Sequence, residues 1–299
     1  MTTTAHHHDG RQFSRDLAAM ERVAMGRRRA LGLFGGVGAT ALLSGCGGGS
    51  SDSSSSTDTV TVSTSTPTPT PTATATGSNS SACVAYASET RGPYPGDGTN
   101  QSSGVSSNVL VESGVVRSDI RSSFIGTSTV TAEGIVVTFT IQLADVNNAC
   151  AALEGYAVYL WHCDIDGDYS LYGKPQESYL RGVQVTDSTG QVTFTTVFPG
   201  CYDGRYPHMH FEVYSSIGNA TNGSYALLVS QFAMDADTCA EVYATSAYAA
   251  STSNFNGVSI GSDNVFGDNS DDQIDAMTVT FSGDVTNGYT AVATVGVAT

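Results

Sequence analysis

Pro199-Gly-Cys-Tyr-Asp-Gly-Arg-Tyr-Pro-His-Met-His-Phe211 is the stretch around which the rest of this sequence is best interpreted. Its last four residues have the pattern of a β-strand, and successive side chains on a strand point to opposite faces of the sheet. His208 and His210 therefore project from one face, with Met209 and Phe211 on the other. Two imidazoles about 7 Å apart along a strand can reach a common metal ion. Alone the pair is a weak signal, since a hairpin with two polar histidines has the same pattern.

Residues 1–46 have the features of a bacterial signal peptide with a lipobox. Arg27-Arg28-Arg29 precede a short, glycine-rich apolar run that ends at Leu43, too short for a membrane-spanning helix. Leu43-Ser-Gly-Cys46 resembles a lipobox, which implies cleavage before Cys46 and a lipid on its thiol. The arginines are compatible with the twin-arginine route. We therefore expect an exported, lipid-anchored protein of the bacterial cell envelope.

The remaining chain divides into a linker and one domain. Residues 47–82 are rich in Ser, Thr and Pro and contain almost nothing that a core would bury, which predicts a disordered tether. Residues 83–299 have the length and the hydrophobic content of one globular domain.

The exported chain is strongly acidic. The sequence has 12 Lys and Arg against 28 Asp and Glu, of which residues 1–45 contain six basic and three acidic residues. The six basic and 25 acidic residues that remain give a formal net charge of −19. Nucleic acids and anionic lipid headgroups are poor partners for such a surface. We expect no nucleic-acid partner, and membrane contact only through the lipid at Cys46. Oligomeric state stays open.

The hydrophobic patterns of the domain predict an all-β fold. Val137, Phe139, Ile141 and Leu143 alternate with polar residues, as in a half-buried strand. Further strands are predicted at Tyr156–Cys163, Val183–Thr186, Gln191–Val197, Leu227–Met234, Met277–Phe281 and Ala291–Val297. Asp187-Ser-Thr-Gly190 predicts a hairpin between two of them. One short helix is predicted from Thr238 to about Ser246, with Asp237 as its N-cap. We expect an antiparallel β-sandwich with long loops.

The cysteines of an exported domain suggest disulfides. Lipidation of Cys46 would leave five of the six cysteines. Cys163 with Cys201, and Cys150 with Cys239, are two candidate pairs, and the sequence leaves the connectivity open.

Tyr169 is a candidate metal ligand at the end of an acidic loop. Asp164, Asp166 and Asp168 have the spacing that begins a calcium loop, but the glycine comes too early and the glutamate position is proline. The loop is therefore predicted to be a turn. A phenol binds metal only when it loses its proton, and a highly charged ion such as Fe(III) favours that loss. Two phenolates and two imidazoles around Fe(III) would carry a net charge of +1.

Several motifs together resemble the intradiol ring-cleavage dioxygenases, most closely an exported branch related to the protocatechuate 3,4-dioxygenase β chain. The matching segments, in the family's order, are Arg91–Tyr94, Arg117–Ile120, Gly155–Tyr169, Leu180–Phe194 and Phe198–Phe211. The resemblance covers about residues 83–299. It implies that Tyr169, Tyr202, His208 and His210 bind Fe(III). Tyr206 is an alternative ligand to Tyr202 if only proximity to the histidines in the sequence is considered. The family's ligand, however, follows Pro-Gly-x, which is Tyr202 here.

The resemblance also implies roles for neighbouring residues. Arg205 would be an active-site arginine that stabilises negative charge on the substrate ring. Gln231 would be the family's active-site glutamine, although a strand glutamine often pairs only with backbone. Tyr202 would leave the iron as substrate binds and take up a proton. His162 is interpreted as a core or site-adjacent histidine and not as a ligand.

The implied activity is Fe(III)-dependent cleavage of a catechol by O2 between its hydroxylated carbons, giving a cis,cis-muconate-type diacid. The alternative is a non-catalytic envelope lipoprotein that binds catechols or ferric complexes. A second alternative is an adhesion or structural lipoprotein without metal. The sequence does not name the catechol.

Overall fold

The computed structural model describes residues 84–299, and the export signal and linker predicted for residues 1–82 lie outside the described residues. Two five-stranded sheets make up most of the described part. The first contains β1 (Val136–Asp145), β2 (Ala151–Ala152), β5 (Gln191–Val197), β9 (Phe281–Asp284) and β10 (Gly288–Val297). The second contains β3 (Ala157–Trp161), β4 (Arg181–Val185), β6 (His208–Tyr214), β7 (Leu228–Met234) and β8 (Thr278–Val279). The prediction of an all-β sandwich is confirmed.

The sheets are mixed, and the prediction that all strands are antiparallel was wrong for two pairs. The second sheet has the order β4-β3-β6-β7-β8, and its last pair is parallel. In the first sheet β1 pairs with β5 in antiparallel orientation and with β10 in parallel orientation. Alternation of apolar residues determines which face of a strand is buried. The alternating pattern is the same whether the neighbouring strand is parallel or antiparallel. The pattern therefore could not determine the orientation of these pairs.

The predicted hairpin at residues 187–190 is a corner between the two sheets. The turn forms as expected, with the Asp187 carboxylate accepting bonds from the Thr189 and Gln191 backbone N–H groups at 2.8 and 3.0 Å. The strands beside it then separate, because β4 pairs with β3 while β5 pairs with β1. Turn residues determine a local reversal of the chain, and the other strands available for pairing decide which sheet each strand joins.

Within residues 84–299, three α-helices replace the single predicted helix. They are α1 (Ala236–Tyr243), α2 (Ala249–Asn256) and α3 (Asp271–Met277), with short 3-10 turns at Val109–Val111, Gly223–Tyr225, Ser246–Tyr248 and Ile260–Ser262. The N-cap of α1 is Asp235 and not Asp237, since the Asp235 carboxylate accepts from Thr238 N. Helix α2 has the sequence Ala-Ala-Ser-Thr-Ser-Asn-Phe-Asn, whose Ser, Thr and Asn residues are weak helix formers. No helix of the described residues is long and apolar enough to cross a membrane.

Strands β3 and β6 are buried on both faces, and this determines where polar side chains can collect. One face of β6, with Met209 and Phe211, packs into the core between the sheets, where Phe211 stacks on Phe232 at 4.3 Å. The other face contributes to a second cluster that also contains Trp161 and Tyr169. His208 and His210 lie on this second face, as the alternation predicted.

Both candidate disulfide pairs were wrong. Cys150 is disulfide-bonded, but not to Cys239. Cys163, Cys201 and Cys239 are free and buried. The Cys163 thiol donates to Gly200 O at 3.4 Å, and the Cys201 thiol donates to Arg205 O at 3.6 Å. These thiols pack against backbone carbonyls, a contact that spacing in the sequence cannot show.

A buried carboxyl group lies next to the histidines on β6. Glu212 is fully buried and accepts from the Tyr214 hydroxyl and from Arg91 Nε, the latter at 3.1 Å. Arg91 Nε also lies 3.2 Å from the buried Asp97 carboxylate. Burial, with the neighbouring charge of Asp97, raises the pKa of Glu212 to about 8.

This shift makes the stability of the domain pH-dependent. The ordinary pKa of Glu212 is 4.5, so between pH 4.5 and about 8 the folded chain holds a proton that the unfolded chain releases. Stability therefore falls as pH rises through this window, with a slope of at most about 1.4 kcal/mol per pH unit from this group. We expect urea unfolding of Glu212→Gln to lose less stability between pH 5 and 8 than wild type. Replacement of the exposed Glu133 by Gln is the control, and equal slopes in all three proteins would contradict the assignment.

Candidate metal centre

Two imidazoles and two phenols converge on one point at the beginning of β6. His208 Nε2 lies 3.1 Å from His210 Nε2, 3.3 Å from the Tyr202 hydroxyl and 3.4 Å from the Tyr169 hydroxyl. His210 Nε2 lies 3.1 Å from the Tyr169 hydroxyl. All four side chains are at most 4% exposed. The structure thus brings together the four residues that the sequence predicted as ligands.

His208 presents an unprotonated nitrogen to this cluster. Its Nδ1 lies 2.6 Å from the Tyr206 carbonyl oxygen, which can only accept, so Nδ1 carries the hydrogen. Burial, with the positive charge of Arg205, lowers the pKa of His208 to about 3. The ring is therefore neutral near pH 7, and the lone pair of Nε2 points into the cluster.

His210 is oriented by stacking. Its ring lies on Trp161 with a centroid distance of 4.9 Å and an interplanar angle of 7°, and Trp161 stacks in turn on Tyr159 at 4.8 Å. Register explains the contact, because Trp161 on β3 is paired directly with His210 on β6. Burial and the adjacent His208 lower the pKa of His210 well below its usual value, so this ring is also neutral.

The two tyrosines come from loops that contact each other. Asp164 begins a turn in which its carboxylate accepts from Asp168 N at 3.0 Å, and Tyr169 follows directly. Gly200 N donates to Asp164 O at 3.0 Å, and a Cβ at Gly200 would lie only 2.6 Å from that oxygen. Glycine is therefore required in Pro199-Gly-Cys-Tyr202 for the loops to approach. The predicted turn at the aspartates is present and determines the position of Tyr169.

The four donor atoms have the spacing of ligands to a single ion. Atoms that bind one transition metal at about 2.1 Å, with angles near those of a four- or five-coordinate centre, lie roughly 3.0–3.4 Å apart. The four separations given above, out of the six among these atoms, are 3.1 to 3.4 Å. Phenolate oxygen is a hard, anionic donor that suits a highly charged ion, and imidazole suits iron among other metals. The residues therefore fit a ferric ion.

Arg205 and Gln231 form a buried pair beside the cluster. Arg205 Nη2 donates to Gln231 Oε1 at 2.7 Å, and Gln231 Nε2 donates to Thr90 O at 2.8 Å. Gln231 is the residue of β7 paired with His210. Arg205 Nε donates to Asp263 at 2.9 Å, and both side chains are at most 1% exposed. Burial raises the pKa of Asp263, but the charge and hydrogen bonds of Arg205 outweigh it and the net pKa is below the usual value.

Two other candidates lie away from the cluster. Tyr206 packs on Phe255 and Phe266 with centroid distances of 6.0 and 6.3 Å. His162 follows the end of β3 on the opposite face from Trp161, where its ring nitrogens contact Cys163 O at 2.7 Å and Thr196 Oγ1 at 2.6 Å. His162 is thus a satisfied core histidine.

The sequence interpretation did not select Trp161 and Asp263 as site residues. Trp161 could have been found, because it stands one residue before His162 in a predicted strand and alternation places it opposite that histidine. Asp263 lies 58 residues after Arg205, in a polar Gly-Ser-Asp-Asn turn without a distinguishing pattern.

Comparisons with known proteins place this arrangement in context. The Dioxygenase family model matches residues 117–222, which include both tyrosines and both histidines. An intradiol ring-cleavage dioxygenase from Tetranychus urticae is similar in structure, with 23% identity, a TM-score of 0.52 and coverage of 72% of this chain and 95% of its own. The dioxygenase Tetur07g02040 has 26% identity, a TM-score of 0.50 and coverage of 63% of this chain and 88% of its own. No curated protein sequence matches the chain.

The family match runs from residue 117, which precedes β1, to residue 222 in the loop after β6, and the structural similarity to the Tetranychus urticae protein covers 72% of the chain. The family match and the shared fold therefore make this chain similar to the intradiol ring-cleavage dioxygenases, as its motifs predicted.

Proposed function

We propose that this protein cleaves a catechol between its two hydroxylated carbons, using O2 and a ferric ion held by Tyr169, Tyr202, His208 and His210. The observation that carries the proposal is the convergence of two phenols and two neutral imidazoles, in which His208 Nε2 lies 3.1 to 3.4 Å from the other three donor atoms and His210 Nε2 lies 3.1 Å from the Tyr169 hydroxyl. An Fe(II) oxygenase would present two histidines and a carboxylate. In residues 84–299 no group of three or more His, Cys, Asp and Glu has metal-binding spacing.

Each residue of the cluster has a separate part in this proposal. When bound, ferric iron would lower the pKa of the catechol and withdraw electron density from its ring. His208 and His210 enter the site neutral and keep their nitrogen lone pairs available for the metal. The Tyr202 oxygen accepts a proton from the incoming catechol. Tyr169, which is 1% exposed, would remain the second phenolate donor to the metal.

Arg205 supplies fixed positive charge beside the substrate ring. Its guanidinium is held by Gln231 on one side and by Asp263 on the other. Such a preorganised charge in a site without bulk water stabilises negative charge that develops on the ring. Lipid anchoring at Cys46 would place the reaction at the cell envelope, and this localisation is part of the proposal.

Ferric loading of the purified exported chain tests the function. We expect a red protein, because phenolate-to-Fe(III) charge transfer absorbs visible light, and oxygen uptake with catechol that depends on the bound iron. Protocatechuate is the second substrate to compare. Chelation of the iron should remove both the colour and the oxygen uptake, and readdition should restore them. A colourless protein after loading would reject the metal centre, and a red protein without oxygen uptake would support the non-catalytic binding protein instead.

A further inference from the structure

Residues 243–266, here called the bracing segment, hold the loop that contains Tyr202 and Arg205. The Tyr248 hydroxyl donates to Phe198 O at 2.8 Å, and the Tyr243 hydroxyl donates to Pro199 O at 3.0 Å. The next contacts, in the order of the loop, are Cys201 N to Ser251 Oγ at 2.8 Å, Asn254 Nδ2 to Cys201 O at 2.8 Å, and Tyr206 N to Asp263 Oδ2 at 2.7 Å. The loop is thus anchored at both ends and in the middle.

The bracing segment lies outside the residues that the family model matches, which end at 222. The residues that brace the loop therefore lie beyond the segment that the family model matches. Among these contacts only Asp263 reaches an active-site side chain as well as the backbone.

Asp263 is the point at which the bracing segment meets Arg205. Its Oδ2 accepts from Arg205 Nε at 2.9 Å and from Tyr206 N, and its Oδ1 lies 3.5 Å from Arg205 Nη2. The carboxylate is itself fixed, because Oδ1 also accepts from Val265 N at 2.8 Å and Phe266 N at 3.2 Å. A carboxylate with this many backbone donors has little freedom to move.

Two rigid partners on different elements therefore determine the plane of the Arg205 guanidinium. Asp263 binds its Nε edge, and Gln231 accepts from Nη2 and is in turn fixed by Thr90. A guanidinium is planar, so fixing Nε and Nη2 also fixes the direction of the remaining nitrogen. The ion pair is almost completely buried, and breaking such a pair leaves an uncompensated charge in a nonpolar region.

We propose that Asp263 is a positioning residue for the dioxygenase reaction, acting through Arg205 to orient its charge toward the substrate ring. This inference rests on the proposed function. The competing role is a purely structural tie, in which Asp263 stabilises the loop but Arg205 would reach the same position without it. The two roles differ in how the effects of Asp263 and Arg205 substitutions combine.

A double-mutant cycle distinguishes the roles. We expect Asp263→Asn to keep the iron colour and the KM for catechol within about threefold, while kcat falls about 10- to 100-fold, the range expected for a misplaced active-site group. If Asp263 acts through Arg205, the double variant with Arg205→Ala will be no slower than Arg205→Ala alone. Multiplication of the two losses would overturn the proposal. Asp237→Asn, at an exposed site in the first turn of α1, is the matched control and should leave kcat unchanged.

Two further measurements test the inference even if Asp263→Asn does not fold or the chain does not cleave catechol. Asp263→Glu retains the charge and displaces the carboxylate by one methylene, so we expect a smaller loss of kcat from a protein that still folds. In the metal-free chain, the 15N–1H signal of Arg205 Nε should shift in Asp263→Asn and not in Asp237→Asn. An unmoved signal would overturn the inference even if the wild type cleaves catechol. Absence of oxygen uptake by the wild type would instead reject the proposed function and leave this signal as the test.

Discussion

Replacement of His210 by Gln will give a folded chain that does not hold ferric iron and does not turn red. His210 Nε2 is one of four converging donor atoms, and glutamine cannot supply an imidazole nitrogen at that point. Catechol-dependent oxygen uptake should fall about 1,000-fold or more, because loss of the metal removes several kcal/mol of polarisation and each 1.4 kcal/mol corresponds to a factor of ten. Iron content by elemental analysis and the visible spectrum measure the first effect, and an oxygen electrode measures the second.

His162→Gln is the matched control for this experiment. His162 and His210 are 1% and 2% exposed, so the two substitutions disturb equally buried histidines. The ring of His162 contacts Thr196 and Cys163 and does not reach the cluster. We expect this control to keep its iron, its colour and its turnover even if its melting temperature falls. Equal iron loss in both variants would mean that the colour reports general stability, and would contradict the assignment of His210.

Replacement of Arg205 by Ala separates metal binding from turnover. Arg205 contacts Asp263 and Gln231, and its contribution to the reaction is a fixed positive charge in a buried site. We expect the red colour and the iron content to stay at wild-type levels, while kcat falls about 100- to 1,000-fold, the range for loss of one preorganised charge donor. Stopped-flow spectra under nitrogen should still show catechol binding, so that the defect is in the step that follows.

Arg205→Lys refines this expectation. Lysine retains the charge but not the planar fork that meets Asp263 and Gln231 together, so partial recovery of kcat is expected. Arg121→Ala is the control at a partly exposed arginine, which pairs with Asp119 on the surface and should not affect turnover. If Arg205→Ala bleached the protein, Arg205 would be required for the metal centre itself, which contradicts the separation of roles.

The alternation of apolar and polar residues predicted those features of the fold and of the site that depend on a single strand. The four apolar positions of β1 that the sequence selected are all buried, and Ala144 is buried as well. His208 and His210 share a face for the same reason, since a strand repeats every two residues. Motifs then supplied Tyr169 and Tyr202 as candidates, and the structure brings both to His208. That arrangement of the four side chains is compatible with the ligand set that the resemblance implied.

The sequence alone determined the all-β class and the shared face of the two histidines. It also selected residues 199–211 as the stretch that contains most of the candidate site residues. The tertiary structure decided the parallel pairing of β1 with β10, the corner between β4 and β5, and the bracing of the loop by α1, α2 and Asp263. The reason is physical. Alternation and turn residues act over a few neighbouring positions, whereas the choice of strand partner and the burial of Arg205 against a carboxylate 58 residues away depend on which surfaces meet after the chain has folded.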